Sequence, residues 1–234
     1  MATHNGALPI VTDGISNLYD AADKNSYVGS GNDWNDIMGD FNLTGLVGGG
    51  GTEPTFNSLA GGCFDFDGSG DKLQLTHATK FDFAGDFAVE CWIYHDDVGN
   101  EGGATVWFNT TSLDELQFAV EDTGDNPRVV IASSGGNTGF VSTSNLTDLQ
   151  NRWSCHTATR IGSDIRYYID GVSRVSRTDS TAGDNNNAIL FGEQAGGNHS
   201  LDGKIANIKI YNGKGLTSTE VLQNFNAQRG RFGI

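Results

Sequence analysis

The chain has 234 residues, 37% of them hydrophobic, with 33 glycines against 3 prolines and a net charge of −15. That composition excludes a disordered chain, which carries proline and charge in excess and too little apolar side chain to build a core. The acidic balance excludes general affinity for nucleic acid or an anionic membrane, both of which are held through basic groups.

The opening MATHNGALPIVTDG has neither the basic start nor the apolar run of a signal sequence, and no stretch of the chain is apolar for long enough to span a bilayer. Synthesis and folding in a cytoplasm are expected. Residues 1–9 read as an arm, 10–227 as one sandwich with a helix, and 228–234 as a basic tail. Trp34 stands between Asp33 and Asp36, and Gly48 to Gly51 mark a loop within 43–62. From residue 63 short apolar runs recur between glycine, aspartate and asparagine clusters, the pattern of antiparallel strands and turns. CFDFDGSGDKLQL predicts two strands joined as a hairpin around Gly68 to Gly70. DFAVECWIYH places Phe87, Val89, Cys91 and Ile93 on one face of a strand and Glu90, Trp92 and Tyr94 on the other.

ATVWFNT, ELQFAVED, RVVIASS and GFVSTS follow at sandwich spacing. NRWSCHTATRI is a further strand, and DIRYYIDGVSRVSR a hairpin whose Asp170-Gly171 favours a type I′ turn, with Ile165, Tyr167 and Ile169 on one side. In LDGKIANIKIYNG the apolar set favours Ala206, Ile208 and Ile210 as the inward face. Thr217-Ser218-Thr219-Glu220 is a capping box that starts a helix with Val221, Leu222 and Phe225 as its apolar stripe. Cys63, Cys91 and Cys155 are too few and too dispersed for a disulfide framework and read as core residues.

These residues resemble the concanavalin A-like lectin/glucanase superfamily in its laminin-G-like branch. FDFDGSGDKLQL, FDFAGDFAVECWIY, RWSCHTATRIGSDIRYYIDGV and LDGKIANIKIYNGKGLTSTEVLQNFNA carry the likeness, in family order, over residues 56–227. At the two ends, GISNLYDAADKNSYVGSGNDWNDIMGD and VLQNFNAQRGRFGI are similar to laminin-G-like proteins of tailed bacteriophages, which occur as virion structural proteins on heads, fibres or tails. The resemblance implies an all-β, antiparallel jelly-roll sandwich with one short C-terminal helix. The function it implies is a non-enzymatic virion structural protein at the virion surface, decorating a capsid or belonging to a fibre or tail and held by capsid or tail proteins. The alternative is a calcium-dependent lectin for attachment to a host surface glycan.

Enzymes of the superfamily place two glutamates and an aspartate on one face of a strand, a spacing that flanks a glycosidic bond. Here Glu90 stands alone, and five residues separate Glu115 from Glu121. No hydrolase is expected. For calcium, the one cofactor considered, the candidates are Asp67, Asp71 and Asp202, with turn capping as the alternative use of these loop aspartates. Where family members carry an acidic pair after G-x-I, this chain has Ala206-Asn207. For a glycan the candidates are Trp34, Trp107 and Asn109, an aromatic face beside polar groups being what a sugar ring needs. Residues 1–203 carry −19 and residues 204–234 carry +4. That split, with Arg229, Arg231 and Phe232 at the end, predicts partner contact through the tail and a homo-oligomer, with a trimer in view.

Overall fold

The computed structural model describes residues 8–31, 33–39, 41–44, 53–97, 104–110, 117–122, 127–132, 149–178, 188–193 and 199–234; at 104–110, 121–122 and 127–132 the description is of backbone. Its strands are β1 (Ile15–Asp20), β2 (Asp33–Trp34), β3 (Leu43–Thr44), β4 (Thr55–Asn57), β5 (Cys63–Asp67), β6 (Leu73–Leu75), β7 (Phe87–Asp97), β8 (Ala104–Thr110), β9 (Gln117–Asp122), β10 (Pro127–Ala132), β11 (Trp153–Ile161), β12 (Asp164–Ile169), β13 (Val172–Thr178), β14 (Ile189–Phe191) and β15 (Asp202–Asn212). One α-helix among the described residues, α1 (Ser218–Gln228), runs into a 3-10 turn over Arg229–Phe232. The expected GFVSTS strand and the Gly48 to Gly51 loop lie outside the described residues.

Two antiparallel sheets result. One runs β13-β12-β11-β7-β15-β5-β4, with β1 beside the later half of β15; the other runs β10-β9-β8-β14-β6-β3-β2. The two-residue period of β7 sends Phe87, Val89, Cys91 and Ile93 between the sheets, where they meet Leu73, Leu75, Phe118, Val120, Ile189 and Phe191. The sandwich expected from the sequence is therefore observed.

Three local expectations are corrected. β5 and β6 are not a hairpin: β5 pairs with β15 and β4, β6 with β14 and β3, so Gly68–Lys72 carries the chain from one sheet to the other. In β15 the register shifts between Ile205 and Asn207, so Ile205, Ile208 and Ile210 join the inter-sheet core while Ala206 packs on the opposite face with Trp92 and Phe225. A bulge is invisible to a strict alternation. Finally, Leu222 is 45% exposed, and the buried stripe of α1 is Val221, Asn224 and Phe225. Asp170-Gly171 does turn the β12–β13 hairpin, with φ of 53° and 76° as a type I′ turn requires. The capping box is formed, Thr217 accepting from the Glu220 amide.

The outer face of the first sheet is buried by α1 and the chain end. Phe232 lies face to face on Trp92 with centroids 4.0 Å apart and 10° between planes, and it also meets Trp153 at 5.0 Å. Arg231 donates to both Asp20 oxygens at 2.8 Å and to the carbonyls of Ala60 and Gly62. Arg231 and Phe232, read from the sequence as partner contacts, make these contacts within the chain. The +4 of the last 31 residues is met largely by the chain's own acids: Lys204 by Asp65 and Asp96, Lys209 by Glu90, Lys214 by Asp13 and Glu220, Arg231 by Asp20. Arg229 is exposed over the Phe225 ring.

Candidate functional site

A cleft of about 250 Å³ opens on the outer face of the first sheet, between the β11–β12 hairpin and the start of α1, lined by Thr159, Ile161, Asp164, Arg166, Tyr168, Leu216, Thr217 and Ser218. Strand alternation builds one wall. Ile165, Tyr167 and Ile169 point into the sandwich, so Asp164, Arg166 and Tyr168 project outward. The hairpin turn is fixed by Gly162, whose φ is 60°, whose amide donates to Asp86 and whose carbonyl accepts from Arg160.

The other wall is the segment that enters α1. Gly215 lies directly on β11, since a Cβ there would sit 2.1 Å from the Arg160 carbonyl oxygen. Only glycine permits that approach. Leu216 then donates its amide to the Thr159 hydroxyl at 2.8 Å, and Thr217 caps the helix.

The polar groups of the cleft are ordered from within. Arg166 donates from Nε to Asp164 Oδ2 at 2.6 Å and interacts with the Tyr168 hydroxyl, and these neighbours hold its guanidinium above its usual pKa. Tyr168 is 3% exposed, whereas Ile161 is 44% exposed and offers an apolar wall. A small concavity with an apolar wall and a few converging polar groups can seat one sugar ring.

Beneath α1 the same sheet face carries a buried polar layer. Lys209 donates to Glu90 at 2.7 Å, both fully buried, and Lys209 also reaches Asn207 and Gln228. Asn224 on α1 donates to Glu90 and to the Tyr211 hydroxyl and accepts from the Val11 amide. This layer fixes where α1 sits, and hence where the cleft's second wall stands.

The residues singled out from sequence fall elsewhere. Trp34 is a correction: it is 1% exposed, packed on Tyr19 and Phe64, and its neighbour Asp36 is spent on Asn17 and on the amides of Leu18 and Met38. The two-residue period of β2 points that ring into the core and leaves no face for a sugar. Trp107 and Asn109 lie on β8, where the side chains are outside the described residues. Asp67 accepts from the Ser69 amide, and Asp71, almost fully buried, accepts from the Asp67 amide. These are turn caps. Asp202 stands across the ladder from Asp67, and Lys204 sits between Asp65 and Asp96 nearby. Two of the three aspartates are turned onto backbone amides, an ammonium lies among the neighbouring acids, and the three are not gathered into a metal-holding cluster among the described residues. Asp164, Arg166 and Tyr168 were readable in DIRYYIDG only as the alternate face of a strand noted for its apolar side.

The family model of the concanavalin A-like lectin/glucanases superfamily matches residues 67–222. No curated protein sequence matches the chain. Among solved structures, a Trypanosoma rangeli sialidase is similar with a TM-score of 0.69 at 12% identity, over 97% of this chain and 37% of that one. The ligand-binding domain of botulinum neurotoxin serotype D, in complex with N-acetylneuraminic acid, follows at 0.67 and 17% identity, over 92% and 51%. Domain 4 of an extracellular arabinanase from Geobacillus stearothermophilus, in complex with arabinotriose, has a TM-score of 0.61 at 17% identity, over 90% and 97%. The chain spans about a third of the sialidase and half of the toxin fragment. At these identities the likeness is one of fold.

Proposed function

The chain belongs to the concanavalin A-like lectin/glucanase superfamily, and we propose that it is a glycan-binding module acting without turnover. The observation that carries this reading is the cleft between the β11–β12 hairpin and α1, where Ile161, Asp164, Arg166 and Tyr168 combine an apolar wall with ordered donors and acceptors. The sugars bound to the toxin and arabinanase domains support it, because they are held on the same fold. Action without turnover is supported by Glu90, whose carboxylate is fully buried against Lys209 and Asn224. A glycan array probed with the protein and with Arg166→Ala tests the reading. Binding is expected to survive chelation and to fall at least tenfold in the variant; no binding to any glycan, or release of reducing sugar, refutes it.

A second reading places this module on a bacteriophage virion, attached to a capsid or tail protein. Its support is that the two end segments similar to phage laminin-G-like proteins meet in one contact, Asp20 from the first and Arg231 from the last. They behave as one structural unit. Mass spectrometry of purified particles from the source phage tests it, and absence of the chain from intact particles refutes it. The homo-oligomer inferred from a basic tail loses that ground, because most of those cations are paired within the chain.

A further inference from the structure

We propose that the cleft selects a sugar bearing a carboxylate, such as a uronic acid, over its neutral parent; the proposal rests on the glycan-binding reading above. A guanidinium offers five N–H donors in a rigid fork. Asp164 takes the Nε donor of Arg166, and the buried Tyr168 ring lines the floor of the same cleft. The group is thereby oriented before any ligand arrives, with the donors on its outer edge still to be used. An arginine fixed in this way matches the two oxygens of a carboxylate and loses little side-chain freedom on binding it.

The other groups fit the rest of such a ligand. Thr159 and Thr217 are occupied with Leu216 and Glu220, so the remaining polar partners are the Ser218 hydroxyl and the second oxygen of Asp164, which suit sugar hydroxyls. Ile161 supplies the surface for the apolar ring face. The acid nearest the helix entry, Glu220, is bound by Lys214 at 2.7 Å and by the Thr217 amide. Around the cleft, Asp86 is held by the Gly162 amide, and Arg166 is the one basic side chain in the lining.

Amide chemical-shift titrations of the full chain with D-glucuronic acid against D-glucose, and D-galacturonic acid against D-galactose, test the proposal, since each pair differs only at C6. The expected result is shifts centred on Ile161, Arg166 and Ser218, with each acid bound about tenfold tighter than its parent, the difference shrinking at high salt. Arg166→Gln is expected to abolish the preference, and Arg166→Lys to keep only a small part of it. Arg166 is half exposed, so both variants should melt with the parent protein. Equal affinity for acid and parent, or a preference that survives Arg166→Gln, overturns the proposal while leaving glycan binding intact. Array binding without any shift in the cleft moves the site elsewhere and also overturns it, and the absence of all sugar binding removes both readings.

Discussion

Lowering the pH from 7 to 5 should cost the fold about 2 kcal/mol through His95 alone. His95 on β7 and His156 on β11 are fully buried between the sheets, their Nε2 atoms 3.3 Å apart. His156 is further held by the Tyr167 hydroxyl at Nδ1 and the Ser154 hydroxyl at Nε2, both at 2.7 Å, while His95 Nδ1 has no partner. Burial, then the positive charge of Arg152, brings His95 down to about 3. Burial, His95, Arg152 and Arg174 lower His156 in the same direction. Both folded-state values lie below the unfolded value of about 6.5, so the unfolded chain takes up protons first as pH falls. The stability is complete above about pH 6.5 and drains below it, toward 3 for His95. At pH 5 an unfolded histidine is almost fully protonated, which gives the 2 kcal/mol, and the lowered His156 acts in the same direction. Asp71 and Asp202, raised chiefly by burial, act in the opposite sense only nearer the carboxylate range. Urea unfolding at pH 7 and pH 5 reads the difference as a shift in midpoint at constant slope. His95→Phe should remove the His95 share of the acid sensitivity, about 2 kcal/mol. An unchanged midpoint in the parent protein, or the same loss in the variant, would refute the reasoning.

Replacing Lys209 by Met leaves Glu90 buried and unpaired and should cost about 3–5 kcal/mol in chemical unfolding, whereas adding Glu90→Leu should restore much of it. Phe232→Ala removes a ring stacked on Trp92 and should destabilise by about 3 kcal/mol, while Leu222→Asp, on an exposed position, should stay within about 0.5 kcal/mol; thermal melts of the pair separate the chain end from the outer face of α1. Gly215→Ala forces a methyl group against the Arg160 carbonyl and should cost about 1–3 kcal/mol, with sugar binding weakened because the cleft wall must move.

Much of the sandwich was legible because β7 and β12 alternate cleanly, and the DG turn and the capping box are local signals that tertiary context left alone. What escaped notice depends on contacts distant in sequence. The β5–β6 segment reads as a hairpin because glycine and aspartate mark a tight turn, but nothing in the segment says that the two strands join different sheets. Leu222 fits a helical stripe as well as Asn224 does on hydrophobicity, yet Asn224 is inward because Glu90, Tyr211 and the Val11 amide await it. Trp34 and Arg231 read as exposed features by residue type, and their partners Phe64, Asp20, Ala60 and Gly62 are visible only once the chain has folded. Of the site itself, the sequence offered only the outward period of DIRYYID.

The buried polar layer and the cleft are linked through α1. A wholly apolar layer beneath the helix would bind it as strongly or more so, because desolvating Lys209 and Glu90 cancels much of their attraction. Apolar contacts, however, are non-directional and tolerate a slide along the sheet. Asn224, with its three bonds to Glu90, Tyr211 and Val11, does not. Leu216, Thr217 and Ser218 are continuous with that helix, so a slide of one ångström would displace the wall that faces Arg166. Oriented recognition of a carboxylate needs that wall held within a fraction of an ångström of its place. On this reasoning the double variant Glu90→Leu, Lys209→Met separates the two roles: it should keep the fold and lose the preference for an acidic sugar.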